Sequence, residues 1–275
     1  MSPYRASASL TASWEHFGYE ERDGVATVTF DRPERLNALT FDVYADLRDL
    51  LAELPQRQGV RVLVVTGAGR GFCSGGDVHE IIASLRGLGP RELLEFTHMT
   101  GSVVQRLREL PLPVIAAVNG VAAGAGAVIA LAADFRLLAR SASFAFLFTK
   151  VGLAGADMGA AYLLPRLVGL ARATELLLLG DPVDAAAAAA AGLANQVVDD
   201  AELPAATAAL AGRLAAGPTL AYGTTKALLS RELDMNLAAA VELEAVAQAL
   251  MMTSADHAEF LAAFTERREP RWTGR

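Results

Sequence analysis

Two short apolar runs, each breaking into a glycine-rich turn, constrain this chain more than any other feature. Residues 61–65 are mostly β-branched and stop at Thr66-Gly67. The turn continues as Gly67-Ala68-Gly69-Arg70-Gly71-Phe72-Cys73-Ser74-Gly75-Gly76-Asp77. Residues 113–118 form a second such run, which gives way to Asn119-Gly120-Val121-Ala122-Ala123-Gly124-Ala125-Gly126-Ala127. A continuous apolar run bounded by glycine predicts a strand buried on both faces, so helices must cover it. The pattern supplies them. Residues 41–54 put Val43, Leu47, Leu50, Leu51 and Leu54 at helical spacing, and residues 90–110 do the same with Leu93, Leu94, Leu107 and Leu110. A small-residue helix is expected from Gly124 to Ala133, and another helix over about 158–168. Alternation predicts a strand over 24–30, with further strands over 135–139 and 143–148. The alanine run over 184–192 reads as a short helix stopped by Gly192. From about Glu202 the pattern is only helical. The expected organisation is a small, polar, flexible tail over 1–12, an α/β core over 13–200 and a helical region over 201–275.

Apolar residues make up 53% of the 275 residues and charged residues 20%, enough to build a large core. The net charge of −7 argues against a nucleic-acid partner, which needs a basic face. It leaves room for an anionic ligand, because one pocket can be lined by amides on an acidic protein. One cysteine, Cys73, forbids an internal disulfide. The most apolar stretch, residues 113–133, is broken by Asn119 and glycines, which fits a buried strand, loop and helix rather than a membrane span. No secretory leader is visible, and a cytoplasmic location is expected.

The first glycine-rich turn invites a dinucleotide reading, but Phe72 stands where the third small residue belongs. A serine-hydrolase elbow fails as well, since Ser74 has Phe72 two residues before it. What remains is a tight loop or a source of free backbone amides, because Gly75 and Gly76 reach conformations other residues resist. In the second turn, Gly124-Ala125-Gly126-Ala127 opens a helix with no bulky side chain in the way. That suits either close packing or an anion held on the helix N-terminus. A third segment, residues 144–159, carries Phe144, Phe146 and Phe148 on one expected strand face, then Asp157 and Met158. Asp157 reads either as a helix N-cap or as a catalytic carboxylate. The histidines are scattered, so no metal site is expected. Cys73 has no base nearby and reads as packing.

These segments, in this order, resemble the crotonase (enoyl-CoA hydratase/isomerase) superfamily over nearly the whole chain. The likeness begins at Asp31-Arg32-Pro33 and Leu36-Asn37-Ala38-Leu39 and continues through residues 71–77 and 113–120. It ends with Phe260, Arg267, Arg268 and Pro270. It implies a spiral of ββα units whose helical C-terminal region forms a homotrimer, often paired into a hexamer. It also implies an oxyanion hole made by the amides of Gly76 and Ala125, a coenzyme A thioester as substrate, and no separate cofactor. The positions that match the family's CoA-binding segments are Arg35, Leu36 and Ala38 with Ser74, Asp77 and Val78. Lys226 is a candidate phosphate contact, against the alternative of a solvated helix face.

The chain also departs from the pattern. Where hydratases of this family carry two glutamates that grip a water, it has Val128 and Phe148. One acid, Asp157, stands near the expected place, with one extra residue before it. Residues 119–127 and 148–166 resemble the epoxyphenylacetyl-CoA isomerase branch. Dienoyl-CoA isomerases and 4-chlorobenzoyl-CoA dehalogenases also carry an aspartate in this region. The expected chemistry is double-bond migration by a single shuttling base, with Phe144, Phe146, Phe148 and Met158 walling the acyl pocket. The alternatives are a hydratase using Asp157 with Asp77 or Glu80, a lyase or hydrolase on the same enolate, and a non-catalytic acyl-CoA-binding subunit.

Overall fold

The computed structural model describes residues 10–275, so most of the expected N-terminal tail lies outside the described residues. In chain order the elements are β1 (Gly18–Arg22), β2 (Val25–Phe30), α1 (Phe41–Glu53), β3 (Val62–Gly67), β4 (Gly71–Cys73), a π-turn (Val78–Ile82) running into α2 (Ala83–Leu85), and α3 (Pro90–Glu109). They continue with β5 (Val114–Val118), β6 (Val121–Ala123), α4 (Ala125–Ala132), β7 (Phe135–Ala139), β8 (Ser143–Ala145), α5 (Ala160–Val168), α6 (Leu170–Leu179), β9 (Val183–Asp184) and α7 (Ala185–Ala190). The last are β10 (Gln196–Val198), α8 (Leu203–Ala215), α9 (Thr219–Glu232), α10 (Leu237–Met251) and α11 (Ala255–Glu266).

Two sheets divide the strands. A six-stranded sheet runs β1-β2-β3-β5-β7-β10 and a four-stranded sheet runs β4-β6-β8-β9. The chain visits them alternately: β3, β5 and β7 go to the first sheet, and β4, β6 and β8, each next in sequence, go to the second. A helix follows each pair. This is the ββα spiral the sequence predicts. β5 is buried at every position, and β3 over its first four, which explains their continuous apolar runs. Sealed behind them are Phe30, Phe72, Phe144, Phe146, Leu63 and Ile115. α8 packs across β2, β3, β5 and β7.

The structure differs from expectation at three local points. β1 pairs antiparallel with β2 through a two-residue turn, Asp23-Gly24, with φ values of 51° and 82°. That Asp-Gly signal is a hairpin turn, and it was legible in the sequence. The strand expected over 143–148 ends at Ala145, because its antiparallel partner β9 is only two residues long and pairs with Ser143 and Phe144 alone. Phe148 is already helical and leads into a 3-10 turn, so the three phenylalanines do not share a strand face. The helix expected from about 158 starts at Ala160, because Met158 (φ 50°) and Gly159 (φ 90°) are both left-handed. The alanine helix behaves as read: Asp184 caps it through the Ala187 N–H, and Gly192 follows at φ 83°.

Successive repeats pack so closely that glycine is obligatory between them. A methyl group on Gly126, in the first turn of α4, would lie 2.2 Å from the Cys73 carbonyl oxygen of β4. Overpacking of this kind costs about 1–3 kcal/mol even where side chains can yield. Here the obstacle is backbone, so Gly126→Ala is expected to cost at least the upper end of that range. Chemical denaturation of the two proteins checks it.

Candidate active site

The two glycine-rich turns occupy the same position in successive repeats. One follows β4, the other follows β6, and β4 and β6 are parallel neighbours. The turns therefore meet. A methyl group on Gly75 would lie 3.1 Å from the Ala123 carbonyl oxygen and 3.5 Å from the Ala125 nitrogen. Gly75 itself has φ 100°, a conformation that L side chains resist.

The hydrogen bonds around Gly76 determine which way its amide faces. Leu39 pairs with Gly76 in an isolated parallel bridge. The Leu39 N–H donates to the Gly75 carbonyl at 2.8 Å, and the Asp77 N–H donates to the Leu39 carbonyl at 2.8 Å. In such a bridge the N–H of Gly76 points away from Leu39. Among the described residues it has no hydrogen-bond partner, and neither does the N–H of Ala125. Ala125 is the first residue of α4, where a helix leaves its N–H groups unmatched. Two free amides thus stand on abutting turns.

Two asparagines hold the first turn in place. Asn37 is 1% exposed; its Nδ2 donates to the carbonyls of Ala68 (2.9 Å) and Gly71 (2.7 Å), and its Oδ1 accepts from the Arg32 N–H. Asn119 accepts from the Gly67 N–H and donates to Gly69 and Gly71. The residues matched to the family's CoA segments lie alongside. Ser74 donates its N–H to Leu36 (2.9 Å) and its hydroxyl to Arg35 (3.2 Å). Ala38 is buried and accepts from Arg32, while Val78 is 62% exposed.

Asp77 is fully engaged. It accepts from the N–H groups of His79 (2.9 Å) and Glu80 (3.1 Å) and pairs with Arg32 at 3.1 Å. The Glu80 amide first, then the His79 amide and the Arg32 guanidinium, hold its carboxyl below the ordinary range against the opposing pull of burial. Asp77 is therefore a cap and a strut, not a spare acid. Glu80 is exposed and borders a different groove, with His16 and Thr40.

Asp157 stands apart from these groups. It does not cap α5; Gly159 occupies that position, and among the described residues the Asp157 carboxylate accepts only from the N–H of its own neighbour, Met158, at 2.9 Å. No cation is paired with it among the described residues. Burial pushes its carboxyl above the ordinary value, and the Met158 amide opposes this only in part. Asp157 is half-buried and its neighbour Met158 is buried; Phe148 and Val128, which stand at the positions of the family's two glutamates, are buried as well. Tyr44, on α1, is 3% exposed, and its hydroxyl is raised well above its usual range. Burial is the main cause, followed by Cys73 and Asp157. Cys73 is sealed, and burial pushes its thiol up to about 12, in keeping with packing.

Lys226 fits neither of its readings. It is 7% exposed and pairs with Asp134 at 2.8 Å, donating also to the carbonyls of Leu107 (2.8 Å) and Leu112 (3.1 Å). It ties α9 to the end of α3 and the loop before β5, and has no donor left for a phosphate. The sequence could not reveal this, because Asp134 lies 92 residues away in the chain.

Comparison with known proteins agrees with this architecture. The family model for enoyl-CoA hydratase/isomerase matches residues 20–275. The chain is 41% identical over 252 residues to 1,2-epoxyphenylacetyl-CoA isomerase of Escherichia coli (strain K12), covering 92% of this chain and 96% of that protein. It is 32% identical over 258 residues to crotonyl-CoA hydratase of Syntrophomonas wolfei, covering 94% and 97%. A crystal structure assigned as an enoyl-CoA hydratase from Streptomyces coelicolor A3(2) superposes with a TM-score of 0.97 at 61% identity, covering 100% of both chains. With ββα repeats that bring two free amides onto abutting turns, and with these similarities along its length, the chain belongs to the enoyl-CoA hydratase/isomerase family of enzymes and has the crotonase fold.

Proposed function

We propose that this enzyme moves a double bond along an enoyl-CoA, with Asp157 as the single acid/base and the amides of Gly76 and Ala125 as the oxyanion hole. Asp157 takes a proton from C2 or C4 of the acyl chain. The electron pair left behind delocalises onto the thioester oxygen, which both N–H groups receive. The carboxylic acid then returns the proton to the other carbon, so nothing is gained or lost overall. Each such donor typically lowers a barrier of this kind by about 3–4 kcal/mol. The CoA moiety is the substrate's own handle, held along Arg35, Leu36, Ala38, Ser74, Asp77 and Val78, and no further cofactor is used.

The observation that supports this reading is a half-buried carboxylate that burial raises and that no cation pairs with among the described residues. Two groups are usually needed to grip and split a water. Here Val128 and Phe148 cannot move a proton, and Asp77 is committed to Arg32. Burial also suits Asp157 to the work, because a raised carboxyl is a better base once ionised. The left-handed Met158 beside it is the kind of backbone strain that collects at functional sites.

The same proposal includes a homotrimer or a hexamer of the chain. No residue of α10 is buried, and Leu237 (80% exposed), Leu250 (62%) and Phe264 of α11 (72%) open to solvent. An apolar face of that extent marks an interface. No single helix among the described residues is long and apolar enough to cross a membrane. α10 and α11 reach that length and composition only together, across a 66° bend. Light scattering is expected to give three or six times 28.8 kDa; a monomer would reject the proposal.

Asp157→Asn is expected to lower double-bond migration in 3-hexenoyl-CoA, and deuterium exchange into it, by about 10²–10⁴-fold. Retained exchange would exclude Asp157 as the base. A hydroxyacyl-CoA product from crotonyl-CoA would favour hydration instead. The pH dependence follows from the raised carboxyl. The ionised base is lost as pH falls, so the acidic limb of kcat/KM should lie above the ordinary carboxylate value of 3.8. Stability should show the converse sign. The folded protein holds the Asp157 proton more tightly than the unfolded chain, so ionisation at neutral pH destabilises the fold. Asp157→Asn should therefore raise Tm at neutral pH, and the gain should vanish below the ordinary carboxylate value.

A further inference from the structure

Among the described residues the Asp157 side chain has one hydrogen bond, from the N–H of its own neighbour, so its aim is set by the backbone of residues 157–159. That backbone does not hold itself. Met158 (φ 50°) and Gly159 (φ 90°) are both left-handed, and a non-glycine residue keeps that conformation only where its surroundings impose it. The first turn of α5 supplies the restraint. The Ala160 N–H donates to the Asp157 carbonyl at 2.8 Å, and the N–H groups of Tyr162 (3.0 Å) and Leu163 (2.9 Å) both donate to the Gly159 carbonyl. The turn that carries Asp157 is therefore as firm as α5 itself.

α5 is a weak support without help. It has nine residues, fewer than a helix needs to persist alone, and Pro165 inside it has no N–H to continue the ladder. Its inner face buries Ala160, Leu163 and Leu164. Its outer face is held by a clasp. Tyr162 and Arg166 stand four residues apart and so share that face. The Tyr162 hydroxyl donates to Asp234 Oδ2 at 2.6 Å, and Arg166 Nη2 donates to Asp234 Oδ1 at 2.8 Å. The Arg166 guanidinium lies over the Tyr162 ring, 3.6 Å from its centroid, and its Nη1 donates to the Tyr162 carbonyl. Asp234 lies just past the end of α9, which Lys226 ties to the core. A lone exposed ion pair stabilises little. Here one carboxylate takes a donor on each oxygen from successive turns of one helix, and stacking fixes the guanidinium, so the contacts restrain one another. The Tyr162 hydroxyl first, then Arg166, hold the Asp234 carboxyl below the ordinary range, which keeps the clasp ionised.

We infer that Asp234 is a positioning residue: by clasping Tyr162 and Arg166 it steadies the first turn of α5, and through it the left-handed turn that aims Asp157. It takes no part in the proton transfer itself. The inference rests on the proposed function for the role of Asp157. Its first half, the restraint on the turn, stands apart from that role.

The test compares Asp234→Ala and Tyr162→Phe, singly and together, with the wild-type protein. Amide hydrogen exchange, followed by mass spectrometry, reports on the turn without substrate. In Asp234→Ala the peptide spanning residues 157–166 should exchange about fivefold faster, with residues 113–118 unchanged. Kinetics with 3-hexenoyl-CoA report on the aim. The kcat for double-bond migration should fall about tenfold while KM changes less than about twofold, because a misaimed base loses rate and not binding. The double variant should be no slower than the slower single one, since both residues act through one clasp. Unchanged amide exchange in Asp234→Ala, an unchanged kcat, or losses that multiply in the double variant would each overturn the inference. Faster exchange along the whole chain would mark general destabilisation and overturn it as well. Deuterium exchange into substrate retained in Asp157→Asn would instead sink the isomerase mechanism, and the catalytic half of this inference with it. Faster amide exchange over 157–166 in Asp234→Ala would still uphold the clasp.

Discussion

The contact between the first turn of α4 and the end of β4 supports everything else in this molecule. Gly126 lets the Cys73 carbonyl approach to a distance no side chain allows, and Gly75, at φ 100°, takes a backbone conformation that L side chains resist while it sits close to the Ala123 carbonyl. Two repeats of the spiral are thereby pressed together at their strand-to-helix turns. An α-helix always leaves its first N–H groups unmatched, and a parallel bridge always turns alternate N–H groups outward. Close packing brings one of each to the same spot. Asn37 and Asn119 hold the loop that carries one of them by taking up its carbonyls, so the free amides remain the exception in an otherwise saturated network.

Around that spot the electrostatics are spare. Asp77, the acid nearest the turn in sequence, is spent on Arg32 and on two amides. Asp157 has no cation beside it, and burial raises it. In an apolar setting a lone carboxylate can shuttle a proton but has little with which to hold a water. This sets the chain apart from a two-glutamate arrangement, and it fits the split among its relatives, which include both an isomerase and a hydratase.

The C-terminal helices use the same physical logic at a larger scale. α8 finds its partners within the chain, lying across β2, β3, β5 and β7. α10 packs against α9, yet none of its residues is buried, and Leu237, Val241, Val246 and Leu250 are exposed. This exposed apolar surface is the observation behind the proposed homo-oligomer. Lys226, buried beneath α9 on Asp134, fixes the base from which that surface extends.

The sequence by itself determined the alternation of strands and helices and the two glycine turns. Each of these depends on residue type and local spacing: β-branched runs, helical periodicity, and the need for glycine where backbones touch. The Asp23-Gly24 hairpin was equally legible and was overlooked. Tertiary structure alone decided what depends on distant neighbours. The strand expected over 143–148 stops at Ala145 because β9 is so short, and β9 lies some 40 residues downstream. Asp157 proved not to be an N-cap because Met158 and Gly159 turn left-handed before α5 begins. Lys226 proved to be a buried strut for a related reason. Spacing along a helix tells which face a residue occupies, but only packing supplies what that face meets.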